Sequence, residues 1–361
     1  MKKKFILLSL LSIILLFTAC NKNKYIKNQD TIFGTFDTII DFTAYTETEE
    51  EYKKYYSLVK EEFNRLHKLY DIYNDYEGIN NIKAINDMAG IEPVEVDRDI
   101  IELLKFSKNM TEKYSYKTNI AFGPVLNIWH EYREEALDEN NKEKPEVPNI
   151  EELKSASQHT DINKVIINEE NSTVFLEDEK MSLDIGATSK GYASQLVMNK
   201  VREAGCKSAI LSAGGNVISI GKPMEKDKDK WGIGIQNPNS EKGDTGSSII
   251  DIVYGNNISL VTSGDYQRYY EVDGKIYNHI IDPDTLVPGD LYKSVTVLAE
   301  DSGVADFLST TLFLLPIEEG KDLIKDIDNV EVIWIDKNEK KHITEGMKNY
   351  LQSEGITAKE D

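Results

Sequence analysis

Asp306 and Thr310 stand four residues apart in Ser302-Gly303-Val304-Ala305-Asp306-Phe307-Leu308-Ser309-Thr310-Thr311. That spacing puts a carboxylate and a hydroxyl on one face of an otherwise apolar helix. Two hard oxygens so placed suit Mg²⁺, which completes its shell with water and phosphate. A carboxylate serving the helix dipole and a back-bonded threonine account for the segment equally well. In Asp184-Ile185-Gly186-Ala187-Thr188-Ser189-Lys190-Gly191-Tyr192, a short strand runs through a glycine-bracketed turn into a helix. Free amides at the helix start, its positive dipole end and the Lys190 ammonium make a cradle for phosphate or pyrophosphate. A tight turn with a solvated lysine fits the same residues. The order Lys-then-Gly is not that of a Walker A loop. His279 is the one histidine of five that lies beside other candidate polar groups, in Asn278-His279-Ile280-Ile281-Asp282-Pro283-Asp284-Thr285. No paired-histidine zinc signature and no Gly-x-Ser-x-Gly elbow occurs, which argues against zinc and serine hydrolases.

The elements that must position these groups are readable in outline. Alternation over 31–46 predicts a strand pair. Tyr52, Tyr55, Tyr56, Val59, Phe63 and Leu66 form one stripe of a helix from Thr48 to Tyr70, and a second helix spans Arg98 to Tyr114. The charged stretch from Glu131 to Pro148 reads as a surface insertion. From Val165 onward short β runs dominate: 165–168, 173–177, 208–212, 217–220, 231–236, 248–254 and 258–262. Asp273-Gly274 marks a hairpin between 266–270 and 275–281. Helices at Ser189–Ala204 and Val304–Leu315 interrupt this region. Strands and helices without regular βαβ alternation predict an α+β fold with mixed or antiparallel sheets and packed helices.

Taken in series, Asp184-Ile185-Gly186-Ala187…Lys190-Gly191-Tyr192, Gly214-Gly215-Asn216, Thr262-Ser263-Gly264-Asp265-Tyr266…Arg268, His279-Ile280…Asp282-Pro283…Thr285 and Ser294-Val295-Thr296-Val297…Ala305-Asp306…Leu308-Ser309-Thr310 resemble the ApbE family of FAD:protein FMN transferases. The likeness runs from Gly34-Thr35 to Leu315. It implies an ApbE-like (T-fold-like) single catalytic domain. It also implies a reaction: FAD is split at its pyrophosphate, FMN is joined through its phosphate to a threonine or serine of an acceptor protein, and AMP leaves. By the same resemblance, Mg²⁺ is held by the backbone oxygen of Ala187 and the side chains of Asp306 and Thr310. FAD is contacted by Phe33, Tyr73, Ala121, Phe122, Gly123, Asp184, Lys190 and Ile280. His279 is the candidate catalytic base by type, with Asp265 as its competitor. Three positions depart from the pattern: Phe33 replaces a methionine, Gly123 an aspartate, and Leu286 a glycine. The implied acceptor is a redox-pump subunit or extracellular reductase with a Thr/Ser target motif. An FAD pyrophosphatase releasing free FMN, a flavin-binding lipoprotein without catalysis and a structural surface protein are the competing functions.

The leader sets the expected location. Lys2, Lys3 and Lys4 precede the apolar run Phe5–Phe17, and Leu16-Phe17-Thr18-Ala19-Cys20 resembles a lipoprotein lipobox. That resemblance implies a signal peptide over 1–19, lipidation of Cys20, a polar tether over 20–30 and the catalytic domain over 31–361. The body would then sit at the cell membrane, lipid-anchored on the extracytoplasmic side. Cys206 is left as a small buried hydrophobe. Acidic residues outnumber basic ones, 63 to 42, for a formal charge of −21. Such a surface excludes nucleic acid as a partner. It also sets a problem, because a pyrophosphate ligand is itself an anion.

Overall fold

The computed structural model describes residues 24–138, 140–141, 143–240 and 248–359. The lipidation site at Cys20 and the cleavage before it lie outside these residues. β1 (Ile26–Thr35) and β2 (Thr38–Thr46) form an antiparallel hairpin. The tether expected over 20–30 therefore overlaps a strand from Ile26 onward. Asn28, Gln29 and Asp30 hid it, because β1 lies at the edge of the sheet, where polar side chains are the rule.

The hairpin leads into α1 (Glu49–Tyr70), whose N-cap Thr48 accepts the Glu51 N–H, with three glutamates in the first turn. Short α2 (Ile82–Asp87) and β3 (Val94–Glu95) precede α3 (Arg98–Lys113). α4 (Gly123–Leu137) follows directly on a 3₁₀ turn at Ile120–Phe122. The insertion expected from Glu131 is thus helical to Leu137. After α5 (Ile150–Ala156), β4 (Val165–Asn168) and β5 (Thr173–Leu176) pair with β3 in a small sheet.

The rest of the chain builds the frame of the site. α6 (Ser189–Glu203) precedes β6 (Ala209–Ala213) and β7 (Asn216–Ile220). β8 (Trp231–Gln236) and β9 (Ile249–Gly255) make a separate ribbon. β10 (Ser259–Gly264) follows, then the hairpin of β11 (Tyr269–Val272) and β12 (Lys275–Asn278). β13 (Tyr292–Ala299), α7 (Ser302–Phe313), α8 (Ile317–Ile324), β14 (Glu331–Asp336) and β15 (Lys341–Ile343) complete the order.

Eight strands form one antiparallel sheet in the order β1-β2-β6-β7-β10-β13-β14-β15. Its residues alternate between two cores, as the period of a strand requires. Val261, Val297, Val332 and Trp334 pack with α7 through Ala305, Phe307, Leu308 and Leu312. Their neighbours Leu260, Leu298, Ile333 and Ile335 face the β8–β9 ribbon through Ile233, Ile235 and Val253. α1, α3 and α6 join β2, β6 and β7 in the largest core. The fold is α+β with antiparallel sheets, as the sequence predicts. Among the described residues no helix is long and apolar enough to cross a membrane.

Candidate active site

The turn 184–188 and α6 meet α7 at very close range. A Cβ on Gly191 would lie 2.2 Å from the Ser302 carbonyl oxygen and 2.5 Å from the Asp306 Cβ. Only glycine permits this approach, and it lets the Gly191 N–H donate to Asp306 Oδ2 at 2.7 Å. The amide of Ser189 donates to Ile185 O at 2.9 Å. The start of α6 is therefore largely spent inside the protein. Its Gly191 N–H holds the Asp306 carboxylate, while Gly186, Ala187 and Lys190 stay on the cavity wall. Burial raises the pKa of Asp306, while Lys190, the Gly191 N–H and the Asn216 side-chain amide pull it down.

One cavity gathers residues from all these elements. Asp184, Gly186, Ala187, Lys190, Asn216, Ser263, Asp306 and Thr310 line its polar end. Phe122, Leu126, Trp129, Tyr270, Tyr277 and Ile281 line an aromatic end, and Tyr73, His130, Arg133, Arg268 and His279 complete the wall. Trp129 stacks on Tyr277 at 5.9 Å between ring centres and lies 6.4 Å from Tyr270. The Trp129 indole N–H donates to Leu286 O at 2.9 Å. Tyr73 stacks on His130 at 4.9 Å, and Arg133 donates to His130 Nδ1 at 2.6 Å. Lys117 ties the Asp282-Pro283-Asp284 turn down, at 2.6 Å from Asp282 and 2.7 Å from Asp284.

Nine of the residues singled out from sequence share this wall: Tyr73, Phe122, Asp184, Ala187, Lys190, His279, Ile280, Asp306 and Thr310. Four do not. Asp265 is ion-paired to Lys337 at 2.8 Å, and its carboxylate is outside the cavity lining. Ala121 is buried in the main core. Gly123 starts α4 against Ser182, whose carbonyl oxygen would lie 2.4 Å from an added Cβ, so no aspartate could stand there. Phe33 projects from a bulge in β1, 72% exposed, beside the register shift between Ile32 and Thr35. Leu286 does adopt the backbone that favours glycine, with φ of 62°.

Trp129, His130, Arg133 and Leu126 were not anticipated, because α4 was not. Its apolar residues Val125, Leu126, Ile128 and Trp129 crowd into its first half ahead of a charged second half, and no side chain caps it. The usable signal was Gly123-Pro124, since proline is favoured in a first helical turn. Arg268 stands in the quoted motif without an assigned role, yet it shapes the electrostatics of the wall. Burial and then the charges of Arg268 and Lys190 bring the His279 pKa down to about 3. His279 Nδ1 lies 3.2 Å from Arg268 O. A carbonyl only accepts, so Nδ1 carries the proton and Nε2 keeps the lone pair. Burial raises the pKa of Asp184, against the Gly186 N–H that donates to it at 2.8 Å.

Whether the wall suits a metal is answered by its donor chemistry. A carboxylate, a hydroxyl and a backbone carbonyl at Asp306, Thr310 and Ala187 are all hard oxygens, the ligands Mg²⁺ takes. Among the described residues Thr310 Oγ1 has a long contact, 3.4 Å to Ser263 Oγ, which leaves it lone pairs for an ion. Among the described residues no group of three or more His, Cys, Asp or Glu forms a cage for a softer ion.

The sequence profile of the ApbE family matches residues 36–334. An FAD:protein FMN transferase of Klebsiella pneumoniae (strain 342) is 30% identical over 284 residues, covering 76% of this chain and 82% of that protein. One of Treponema pallidum (strain Nichols) is 30% identical over 266 residues, 70% of each. Among solved structures, the ApbE protein of Thermotoga maritima superposes with a TM-score of 0.74 at 26% identity, covering 90% of this chain and 99% of that one. The flavin transferase ApbE of Vibrio cholerae gives 0.71 at 20% identity over 90% of this chain and all of that one, a likeness of fold. With the cavity and its motif residues in the same chain order, this protein belongs to the ApbE family.

Proposed function

We propose that this chain transfers FMN from FAD to a threonine or serine of an acceptor protein, with Mg²⁺ as the metal. The observation that carries the reading is one wall holding Asp306, Thr310, Ala187 and Lys190 at its polar end and a cluster of aromatic rings at the other. A dinucleotide with a central pyrophosphate and flat rings matches that division. A bound Mg²⁺ would neutralise charge on the phosphoryl oxygens. Lys190 and Arg268 bind the same oxygens and orient them. In the transfer, the acceptor oxygen bonds to the FMN phosphorus as the P–O bond to AMP breaks. The hydroxyl proton goes to His279 Nε2, and the bridging oxygen leaves with AMP.

A ring whose pKa is held down to about 3, first by burial, is a weak base. A pyrophosphate opposes the Lys190 and Arg268 charges, which rank after burial among the causes that depress it. His279→Ala should retain FAD within about threefold and lose transfer by about 10²-fold or more, the usual worth of general base catalysis. Acceptor mass after incubation with FAD and Mg²⁺ is the test: a gain equal to FMN minus water supports the reading. Free FMN alone would make the enzyme a pyrophosphatase, and bound intact FAD a carrier. The leader ending at Cys20 supports a lipid-anchored, extracytoplasmic location. Cys20→Ser should move the protein from the membrane to the soluble fraction; unchanged partition would refute the anchor.

A further inference from the structure

A threonine hydroxyl meets a cation only through its lone pairs, so the direction of the Thr310 O–H decides whether Thr310 can serve Mg²⁺. Such a hydroxyl turns freely unless its proton is claimed. Three contacts behind the cavity wall claim it in a fixed order. Ser309 Oγ donates to the backbone oxygen of Asp306 at 2.9 Å, and a carbonyl oxygen only accepts. That spends the single Ser309 proton. Across the 2.8 Å contact between Ser263 Oγ and Ser309 Oγ the donor is therefore Ser263. With its own proton spent, Ser263 can only accept across the 3.4 Å contact with Thr310 Oγ1. The Thr310 proton points back to Ser263, and its lone pairs are left to the cavity that Thr310 lines. The fold fixes both serines. Each is buried; Ser309 lies within α7, and Ser263 is set by its pairing with Val295 across β10 and β13. The chain of hydroxyls thus begins at the backbone of Asp306 and ends at Thr310, the two residues whose side chains offer oxygen to an ion.

We infer that Ser263 is a positioning residue for the metal: it accepts the Thr310 proton, so that Thr310 meets Mg²⁺ with its lone pairs, and Ser309 sets this order. The inference rests on the Mg²⁺ part of the reading above. Partners that orient a metal ligand are typically worth about 10- to 100-fold in metal affinity. The test titrates the full chain with MgCl₂, alone and with ADP present, and follows heat of binding and melting temperature. Ser263→Ala should weaken Mg²⁺ binding by about 10- to 100-fold. Ser263→Cys, with a weak sulfur acceptor, is the second variant should the first misfold, and it should weaken Mg²⁺ as well. Ser309→Ala frees the Ser263 proton to turn on Thr310 and claim a lone pair, so it should weaken Mg²⁺ by a smaller factor. Thr310→Val removes the ligand itself. Because Ser263 acts only through Thr310, adding Ser263→Ala to Thr310→Val should cost no further Mg²⁺ affinity, whereas a packing defect adds its loss in either background.

Mg²⁺ affinity within twofold of wild type in Ser263→Ala would overturn the relay and leave the metal reading standing. A loss equally large in the Thr310→Val background would overturn it too. If wild type binds no Mg²⁺ in either titration, the metal reading and the relay fall together. Wild-type protein assayed in parallel with an acceptor keeps the two claims apart. If Mg²⁺ binding depends on Ser263 while no FMN is transferred, the functional reading fails and the relay stands.

Discussion

Tyr270 carries a hydroxyl that is buried with no hydrogen-bond partner, at 3% exposure, among the rings of the cavity's aromatic end. Burial pushes its pKa well up, so the group stays neutral. Removing an unpaired buried hydroxyl relieves about 1 kcal/mol. Tyr270→Phe should therefore raise the melting temperature of the ligand-free protein by about 2 °C, and weaken FAD binding by about 2- to 10-fold. Calorimetry and titration check both, and unchanged affinity would show a hydroxyl that is merely tolerated. Asp265 gives the opposite case. Residue type made it a rival base, but its charge is spent on Lys337. Asp265→Asn should leave transfer within twofold, and a loss beyond tenfold would return it to the chemistry. Cys206, buried at 4% exposure with its thiol pushed up to about 11, should resist alkylation until the chain unfolds.

At the scale of elements, the decisive contact is the crossing of α6 and α7 at Gly191. Gly191→Ala forces the Ser302 carbonyl and Asp306 away, which costs about 1–3 kcal/mol or more by overpacking. Gly186→Ala is the control, since its Cβ would meet only Asp184 Oδ1 at 3.1 Å. Thermal unfolding with and without Mg²⁺ should show a metal-induced rise in wild type and Gly186→Ala that is lost in Gly191→Ala. An intact rise in Gly191→Ala would mean that Asp306 is placed by something else. The sequence shows where such elements are sharp. The stripe of α1, the β runs after Val165 and the Asp273-Gly274 turn each follow from local periodicity or turn chemistry. α4 escapes, because its uncapped start follows a 3₁₀ turn and its outward face is charged. Escaping with it are four cavity residues, Leu126, Trp129, His130 and Arg133. Motif order brings Asp184, Lys190, His279 and Asp306 to one site only because β7 pairs with β10 and β10 with β13, long-range pairings that no local signal carries. Ala121 and Gly123 show the reverse, where adjacency to Phe122 in sequence did not become adjacency on the cavity wall.

Over the whole molecule, the formal charge of −21 should hinder the approach of an anionic dinucleotide. The wall reverses that sign locally with Lys190, Arg268 and Arg133. The two fields differ in range. Exposed charges act over distance and are screened by salt, with a Debye length of about 8 Å at physiological ionic strength, whereas contacts inside the cavity are screened much less. Raising NaCl from low to physiological strength should therefore speed FAD association, because it removes the long-range repulsion first. Most sites that bind phosphates behave the opposite way, since their surfaces attract the ligand. Lys190→Gln should weaken binding mainly through faster dissociation and leave that salt trend in place. Stopped-flow flavin fluorescence measures both rates. An association rate that falls with salt would mean that positive potential extends beyond the mouth of the cavity and dominates the encounter, despite the acidity of the rest.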